Sequence, residues 1–169
     1  MKKVFYLNFI TKNKYLDTSI YKIIYYDTNK GLSYMNQIKA TITNIKKHQN
    51  ISALSFDALG FHMSMVALEL NEKLQVGTHV TIKAKATNIS LAKEIKHQIS
   101  ISNQLHGEVY EIDNGVILCS VKIKIKDTIL ESIITQNSAS KMDIKVGDKI
   151  IALIKATDIS VAQIVGENG

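Results

Sequence analysis

The clearest pattern along the chain lies in its second half. From residue 116 to 125 the sequence settles into alternation, with Val121, Ile123 and Ile125 apolar against Lys122, Lys124 and Lys126. A period of two predicts a half-buried strand. Asp113-Asn114-Gly115 precedes it and reads as a hairpin turn, because Asn and Gly tolerate the positive φ that tight turns require. That turn joins a strand over 105–112 to the strand that follows. Asp127-Thr128 predicts a second turn, residues 129–135 a third strand, and Asn137 or Ser138 caps a short helix over 139–142. Val146-Gly147-Asp148 then leads to a fourth strand over 149–156 and a fifth near 159–162. Five short strands with a small helix before the fourth is the element order of an OB-like barrel. Residues 50–70 mix Ser, Ala, Leu, Met and Phe without strict alternation, so strands are less sharply marked there.

The same pattern is present twice. Lys85-Ala86-Thr87-Asn88-Ile89-Ser90 recurs as Lys155-Ala156-Thr157-Asp158-Ile159-Ser160, an offset of 70 that also brings Val76-Gly77 onto Val146-Gly147 and Leu91-Ala92 onto Val161-Ala162. Upstream, Asn36-Gln37-Ile38 matches Asn103-Gln104-Leu105 at an offset of 67, so the second copy has three more residues in its middle. A hairpin of different length is the expected place for them. Each unit is too short for an α/β domain and suits a small barrel whose open edges are closed by its sister. The expected fold is mainly all-β: two tandem OB-like five-stranded barrels, each with a short helix, over 35–94 and 99–165. Residues 1–34 match neither copy and hold every tyrosine except Tyr110. They read either as an added strand and helix or as a poorly ordered extension.

Composition narrows the function classes. Hydrophobic residues make up 46% of the 169-residue chain, enough for a proper core, and the interspersed charges argue against intrinsic disorder. The net charge of +6 comes from lysine alone, since the sequence has no arginine. Bidentate guanidinium recognition of an anion is therefore excluded. A basic chain still favours anionic partners, with simple solubility as the plain alternative. The single Cys119 excludes an intramolecular disulfide and fits a reducing compartment. Met1-Lys2-Lys3-Val4-Phe5 opens like a signal peptide, but Asn8 and Lys12 interrupt the apolar stretch, so a cytoplasmic protein is expected. No run is long enough to cross a bilayer, and no basic amphipathic helix suggests a membrane surface.

The five histidines, His48, His62, His79, His97 and His106, lack metal-ligand spacing, and no nucleophile motif, paired carboxylates or glycine-rich phosphate loop is present. The expectation is a protein without catalysis, without a directly ligated metal cation and without an organic cofactor. From residue 36 onward only Phe56, Phe61 and Tyr110 are aromatic, too few to build the stacking platforms of a single-stranded nucleic-acid binder. Nor can 34 residues ahead of the repeats hold a winged-helix domain, so nucleic acid is disfavoured as a partner.

The string Ser100-Ile101-Ser102-Asn103-Gln104-Leu105-His106-Gly107, the stretch 133–147 and Leu153-Ile154-Lys155-Ala156-Thr157 together resemble the Mop, or TOBE, family of molybdate-binding modules. Two copies resemble its tandem form, as in small cytoplasmic molybdenum-storage proteins and the sensor half of the molybdate-responsive regulator. The resemblance implies that molybdate or tungstate is bound between modules of a homo-oligomer, a trimer in preference to a dimer, held by the opening Ser strand of one module and by the helix Ser segment plus the Lys-Ala string of another, for molybdenum storage, homeostasis or sensing. It also implies a second reading: a regulatory module, partly stripped of ligand binding, that contacts molybdate transporter components.

Carried over residue by residue, the family's opening Ser falls on Ser100, its helix Ser on Ser138 and its closing Lys on Lys155, with Ala156 and Thr157 beside it. Its two arginines fall on Ser102 and Lys141, and Asn103 completes the opening string. The first copy keeps Ser33, Asn36, Lys85, Ala86 and Thr87, but Leu68 and Asn71 stand where the helix Ser and its basic partner would be. Its site looks weaker or repurposed.

Elementary chemistry supports these residue types. A tetrahedral dianion presents only acceptor oxygens, so its site needs hydroxyls, backbone N–H groups and one or two cations. The plain readings stand beside the functional ones. A lone lysine at a strand end is usually solvated, the serines are ordinary edge and cap residues, and the repeated Asn-Gln pairs fix a first strand through side-chain hydrogen bonds.

Overall fold

The computed structural model describes residues 35–165; the 1–34 extension and Ser33 lie outside that range. The first repeat supplies β1 (Met35–His48), β2 (Ile51–Ala58), β3 (Phe61–Leu68), β4 (His79–Lys85) and β5 (Ser90–Ala92). The second supplies β6 (Asn103–Asn114), β7 (Leu118–Ile125), β8 (Thr128–Thr135), α1 (Gln136–Lys141), β9 (Lys149–Ile154) and β10 (Ile159–Ile164). Short 3₁₀ turns, Ala86–Asn88 and Ala156–Asp158, precede β5 and β10.

The strands form two antiparallel five-stranded sheets in the orders β10-β4-β1-β2-β3 and β5-β9-β6-β7-β8. The last strand of each repeat therefore sits in the other repeat's sheet. β10 runs along β4 from Ile159 opposite Ala84 to Ile164 opposite Val80. β5 pairs with β9 over three residues, Ser90 opposite Leu153 to Ala92 opposite Ile151. The strands of each repeat are consecutive along the chain, whereas the sheets cut across the repeats. Each barrel's edge is covered by its sister, which removes an exposed template for strand pairing.

Alternation explains the inward faces. On β7, Cys119, Val121, Ile123 and Ile125 are buried, with Lys122 and Lys124 between them. On β2 the buried set is Ser52, Leu54, Phe56 and Ala58, and on β3 it is Met63 and Met65. The strands in 50–70 are thus regular. Their pattern was blurred because Ser52 points in while Ile51 is 46% exposed. The buried apolar side chains of both sheets form one continuous core, and each fully buried Ile, Leu or Phe contributes about 1.5–3 kcal/mol. Burial raises the pKa of the Cys119 thiol, with Asp113 nearby adding to the shift. No helix among the described residues is long and apolar enough to cross a membrane.

Both repeats share a local device. The register slips between Ile42 and Asn44 on β1 and between Val109 and Glu111 on β6, two bulges at equivalent positions. At each one a glycine turns back onto the bulge: Gly77 N–H donates to the Ile42 carbonyl and Gly147 N–H to the Val109 carbonyl, both at 2.8 Å. Their φ values of 91° and 90° are open to glycine and strained for other residues. This is the physical content of the repeated Val-Gly pair.

Three expectations are corrected. The extra residues of the second copy do not lengthen a hairpin: β2 and β7, and β3 and β8, keep the same spacing, and the insertion falls between β8 and β9, where α1 lies. Three residues are nearly one helical turn. The helix is capped neither by Asn137 nor by Ser138 but by Thr135, whose hydroxyl accepts from Ser138 N–H at 3.2 Å. The first copy has no α-helix at that place among the described residues. Its 69–78 connection is a pair of turns, one closed by Leu74 N–H on the Asn71 carbonyl.

Candidate functional site

Two of the candidate donors, Asn36 and Asn103, occupy equivalent places at the starts of β1 and β6 and are 8% and 0% exposed. Asn36 Nδ2 donates to the Glu131 carbonyl at 2.8 Å and its Oδ1 accepts from Glu131 N–H at 2.7 Å. Asn103 does the same to Ser64, donating to the carbonyl at 3.0 Å and accepting from N–H at 2.6 Å, and Nδ2 also donates to the Ile154 carbonyl. Ser64 and Glu131 are themselves 67 residues apart, so the two clasps are related by a pseudo-twofold. Each amide satisfies the exposed backbone of an edge strand in the sister sheet, which leaves those backbone groups neither bare nor available for pairing. The geometry fits the structural reading of the Asn-Gln pairs.

The remaining strand-end donors are accessible. Asn103 is paired with Ile154 across β6 and β9, so Ser102 and Ser100 reach the same end of the sheet as Lys155 and Thr157. All four are exposed, and none has a side-chain partner among the described residues. Lys155 enters the 3₁₀ turn with extended backbone (φ −67°, ψ 145°), and that turn lies against β3 of the first repeat. In the first repeat Lys85 is paired with Met35 and exposed, and Ala86 is buried at the start of a turn that lies against β8. Thr87 Oγ1 is 3.4 Å from Asn88 Oδ1. Ala156 is partly buried. Neither alanine has a polar side chain, so each can contribute only backbone groups and space.

Ser138 and Lys141 lie elsewhere. α1 follows Thr135, which pairs with Leu118 at the start of β7, and the adjoining Cys119 pairs with Asn114 at the end of β6. Within one chain these two residues therefore stand at the opposite end of β6 from Ser100 and Lys155. Ser138 Oγ accepts from Thr135 Oγ1 at 2.8 Å, and Lys141 is exposed on the last turn of the helix. Leu68 and Asn71 are not their spatial counterparts: β3 ends at Leu68 where β8 ends at Thr135, so Ser138 and Lys141 belong to the connection that the insertion lengthens. Among the described residues no group of three or more His, Cys, Asp or Glu side chains could hold a metal ion. The chemistry on offer is donation to an anion.

Contacts that sequence reasoning missed lie at the sister interface. The clasps end on the backbone of Ser64 and Glu131, and Ser132 Oγ donates to the Ile89 carbonyl at 2.6 Å. Backbone partners leave no side-chain signature, and the duplicated asparagine was the only readable sign of them.

Residues 99–161 match the TOBE domain model. The chain is 36% identical over 64 residues to molybdenum-pterin-binding protein 1 of Clostridium pasteurianum and covers 94% of it. The chain belongs to the Mop/TOBE family. A probable molybdenum-pterin-binding protein of Haemophilus influenzae is 35% identical over 65 residues, also with 94% of its length covered. The molybdenum import ATP-binding protein ModC of Brucella abortus (strain 2308) is 31% identical over 87 residues, 51% of this chain but only 24% of ModC. The chain thus spans about a quarter of that relative. The tandem Mop fold matches the cytoplasmic molybdate-binding protein ModG, solved with molybdate bound, with a TM-score of 0.74 at 22% identity, over 78% of this chain and 97% of ModG.

Proposed function

We propose that this Mop/TOBE chain is a cytoplasmic protein that binds molybdate or tungstate at sites completed between copies in a homo-oligomer, by binding alone and without turnover. The observation that carries this reading is the division of the donors. Ser100, Ser102, Lys155 and Thr157 gather at one end of the second sheet without partners among the described residues, while Ser138 and Lys141 stand at the other end. One chain offers two half-sets, and a second copy placing its α1 against the Ser100–Lys155 end supplies hydroxyls and two ammonium groups to one dianion. A trimer closes such a head-to-tail arrangement. Binding then stabilises the assembly, because only the assembled state presents every donor. The names of the Clostridium and Haemophilus relatives and the molybdate held by ModG support the choice of anion.

Titration calorimetry of the purified chain with molybdate and with tungstate tests the proposal. Saturable binding is expected, with sulfate and phosphate much weaker, and light scattering should show an oligomer that tightens on addition of the anion. A flat response to both metal oxyanions sinks it.

A further inference from the structure

A second concentration of cationic side chains lies away from the oxyanion donors, on the outward face of the second sheet. Glu108 on β6 is paired with both Lys149 on β9 and Lys124 on β7, which makes one rung across three strands. Next to it His106 pairs with Ile151, and Lys126, two residues beyond Lys124, stands in the turn that follows β7. The link between the repeats forms the far wall: Lys93 Nζ is 2.6 Å from the Asp143 carbonyl and 2.8 Å from Asp148 Oδ2. The open groove between them, on which the carboxylates of Glu94 and Glu108 also lie, has a volume of about 850 Å³. Lys149 is held by Glu108 at 2.6 Å, but Lys124 and Lys126 have no ion-pair partner among the described residues. A β-carbon on Gly60 would run into the Lys126 ammonium, so the open end of the groove meets the β2–β3 turn of the first repeat.

The first repeat lacks this surface. The positions equivalent to Lys149, Glu108 and Lys124 are His79, Thr41 and Asp57, and His79 Nδ1 and Thr41 Oγ1 are hydrogen-bonded at 2.9 Å. Lys126 is replaced by Leu59. The charge is thus a property of one copy, not of the fold.

We propose that this groove is a second anion site, which takes a linear oligophosphate such as inorganic triphosphate or the phosphate tail of a nucleoside triphosphate. At the backbone, Lys124 and Lys149 stand about 10 Å apart across the intervening strand, and Lys126 follows in the turn beyond β7 with a φ of 51°, its ammonium reaching toward Gly60. Cations carried on three separate elements are engaged together more fully by a chain of phosphoryl groups than by a single tetrahedral anion. Lysine ammoniums are point charges that meet phosphoryl oxygens in many orientations. No aromatic side chain among the described residues lines the groove, which disfavours stacked nucleic-acid bases.

Calorimetric titration of the full chain with inorganic triphosphate at low salt tests this. Saturable binding is expected, weakened at least tenfold in the Lys124→Ala/Lys126→Ala double variant, weakened by added salt, and unchanged in Lys155→Ala. An unaltered melting temperature of the double variant confirms that its fold is intact. Equal binding of triphosphate and ATP assigns the site to the phosphate chain alone; ATP binding tenfold tighter assigns it to a nucleoside triphosphate. Absence of saturable triphosphate binding overturns the proposal, as does a double variant that binds like the parent. An oligonucleotide that binds where triphosphate does not would assign the groove to nucleic acid instead. None of these readouts uses molybdate, so the outcome is independent of the oxyanion reading.

Discussion

The two repeats differ most between their third and fourth strands. The first crosses from β3 to β4 through residues 69–78, and the second takes three residues more, 136–148, and folds part of them into α1. Everything that fixes the architecture is duplicated: the bulge, the positive-φ glycine behind it, the asparagine clasp, and the 3₁₀ turn that sends the last strand to the sister sheet. The features that carry chemistry are duplicated only in part: the Lys-Ala-Thr string recurs, whereas among the described residues the helix with Ser138 and Lys141 and the basic groove belong to the second copy. Duplication thus preserved the frame and left one copy free to lose or change its donors.

That division can be broken from the frame downward. The largest effect is expected from ending the chain after Asp158. Loss of β10 exposes β4 and removes Ile159, which is 4% exposed, along with the partly buried Val161 and Ile164. At about 1.5–3 kcal/mol for a fully buried side chain and less for the others, the loss is about 3–6 kcal/mol. Urea denaturation should show both sheets losing their cooperative transition together. A truncated chain with the parental midpoint would mean that the exchanged strand is dispensable.

The clasps come next. Asn103→Ala strands the Ser64 N–H and two carbonyls and should cost about 3 kcal/mol, while Asn36→Ala, with two bonds to lose and more exposure, should cost about 2 kcal/mol. Thermal melts of the two variants rank them, and a larger loss at Asn36 would reverse the comparison.

Much of this was legible in the sequence. The Val121, Ile123, Ile125 alternation placed β7, and the duplicated Lys-Ala-Thr and Val-Gly strings placed the turns. Two kinds of information were not legible. Strand exchange depends on which sheet edge is nearer after the 3₁₀ turn, and nothing in Ile159-Ser160-Val161 distinguishes pairing with β4 from pairing with β9. The blurred stretch at 50–70 failed for a different reason: small Ser and Ala residues fit either face of a strand, so Ser52 inside and Ala53 outside leave no periodic trace. Among site residues, the resemblance grouped Lys155 with Ser138 and set the opening serines apart, whereas within the chain Lys155 shares a sheet end with Ser100 and Ser102 and Ser138 stands at the other; that grouping is a matter of sheet register, which leaves no trace in residue type.

A smaller effect sharpens the contrast in chemistry. Lys155→Ala should weaken molybdate binding about tenfold, the equivalent of about 1.4 kcal/mol, and Lys85→Ala about threefold, since the second copy keeps more donors around its lysine. Parallel calorimetric titrations measure both, and equal losses would show that the two sites are used alike.

The smallest effect concerns Glu108. The Lys149 ammonium, by hydrogen bond and by charge, holds its carboxyl below the usual glutamate range, with Lys124 assisting. A depressed carboxylate adds stability above its ordinary range and loses it as the pH falls through the folded-state value. The pair is exposed and screened, so the contribution is slight. Carbon-detected NMR titration should show the Glu108 value rising toward normal in Lys149→Ala, whereas removing His79 from the equivalent rung of the first repeat leaves it in place.

The exchanged strands also bear on how the chain is made. The other four strands of the first sheet lie within residues 35–85, yet its edge strand β10 is translated only after β5 to β9. About 75 residues separate the end of β4 from the start of β10, and at typical synthesis rates they take about 4–15 seconds to translate. Throughout that interval β4 keeps an unpaired edge, so the nascent chain passes through a stage in which a nearly finished sheet waits for its closing strand and any other strand within reach competes for the place.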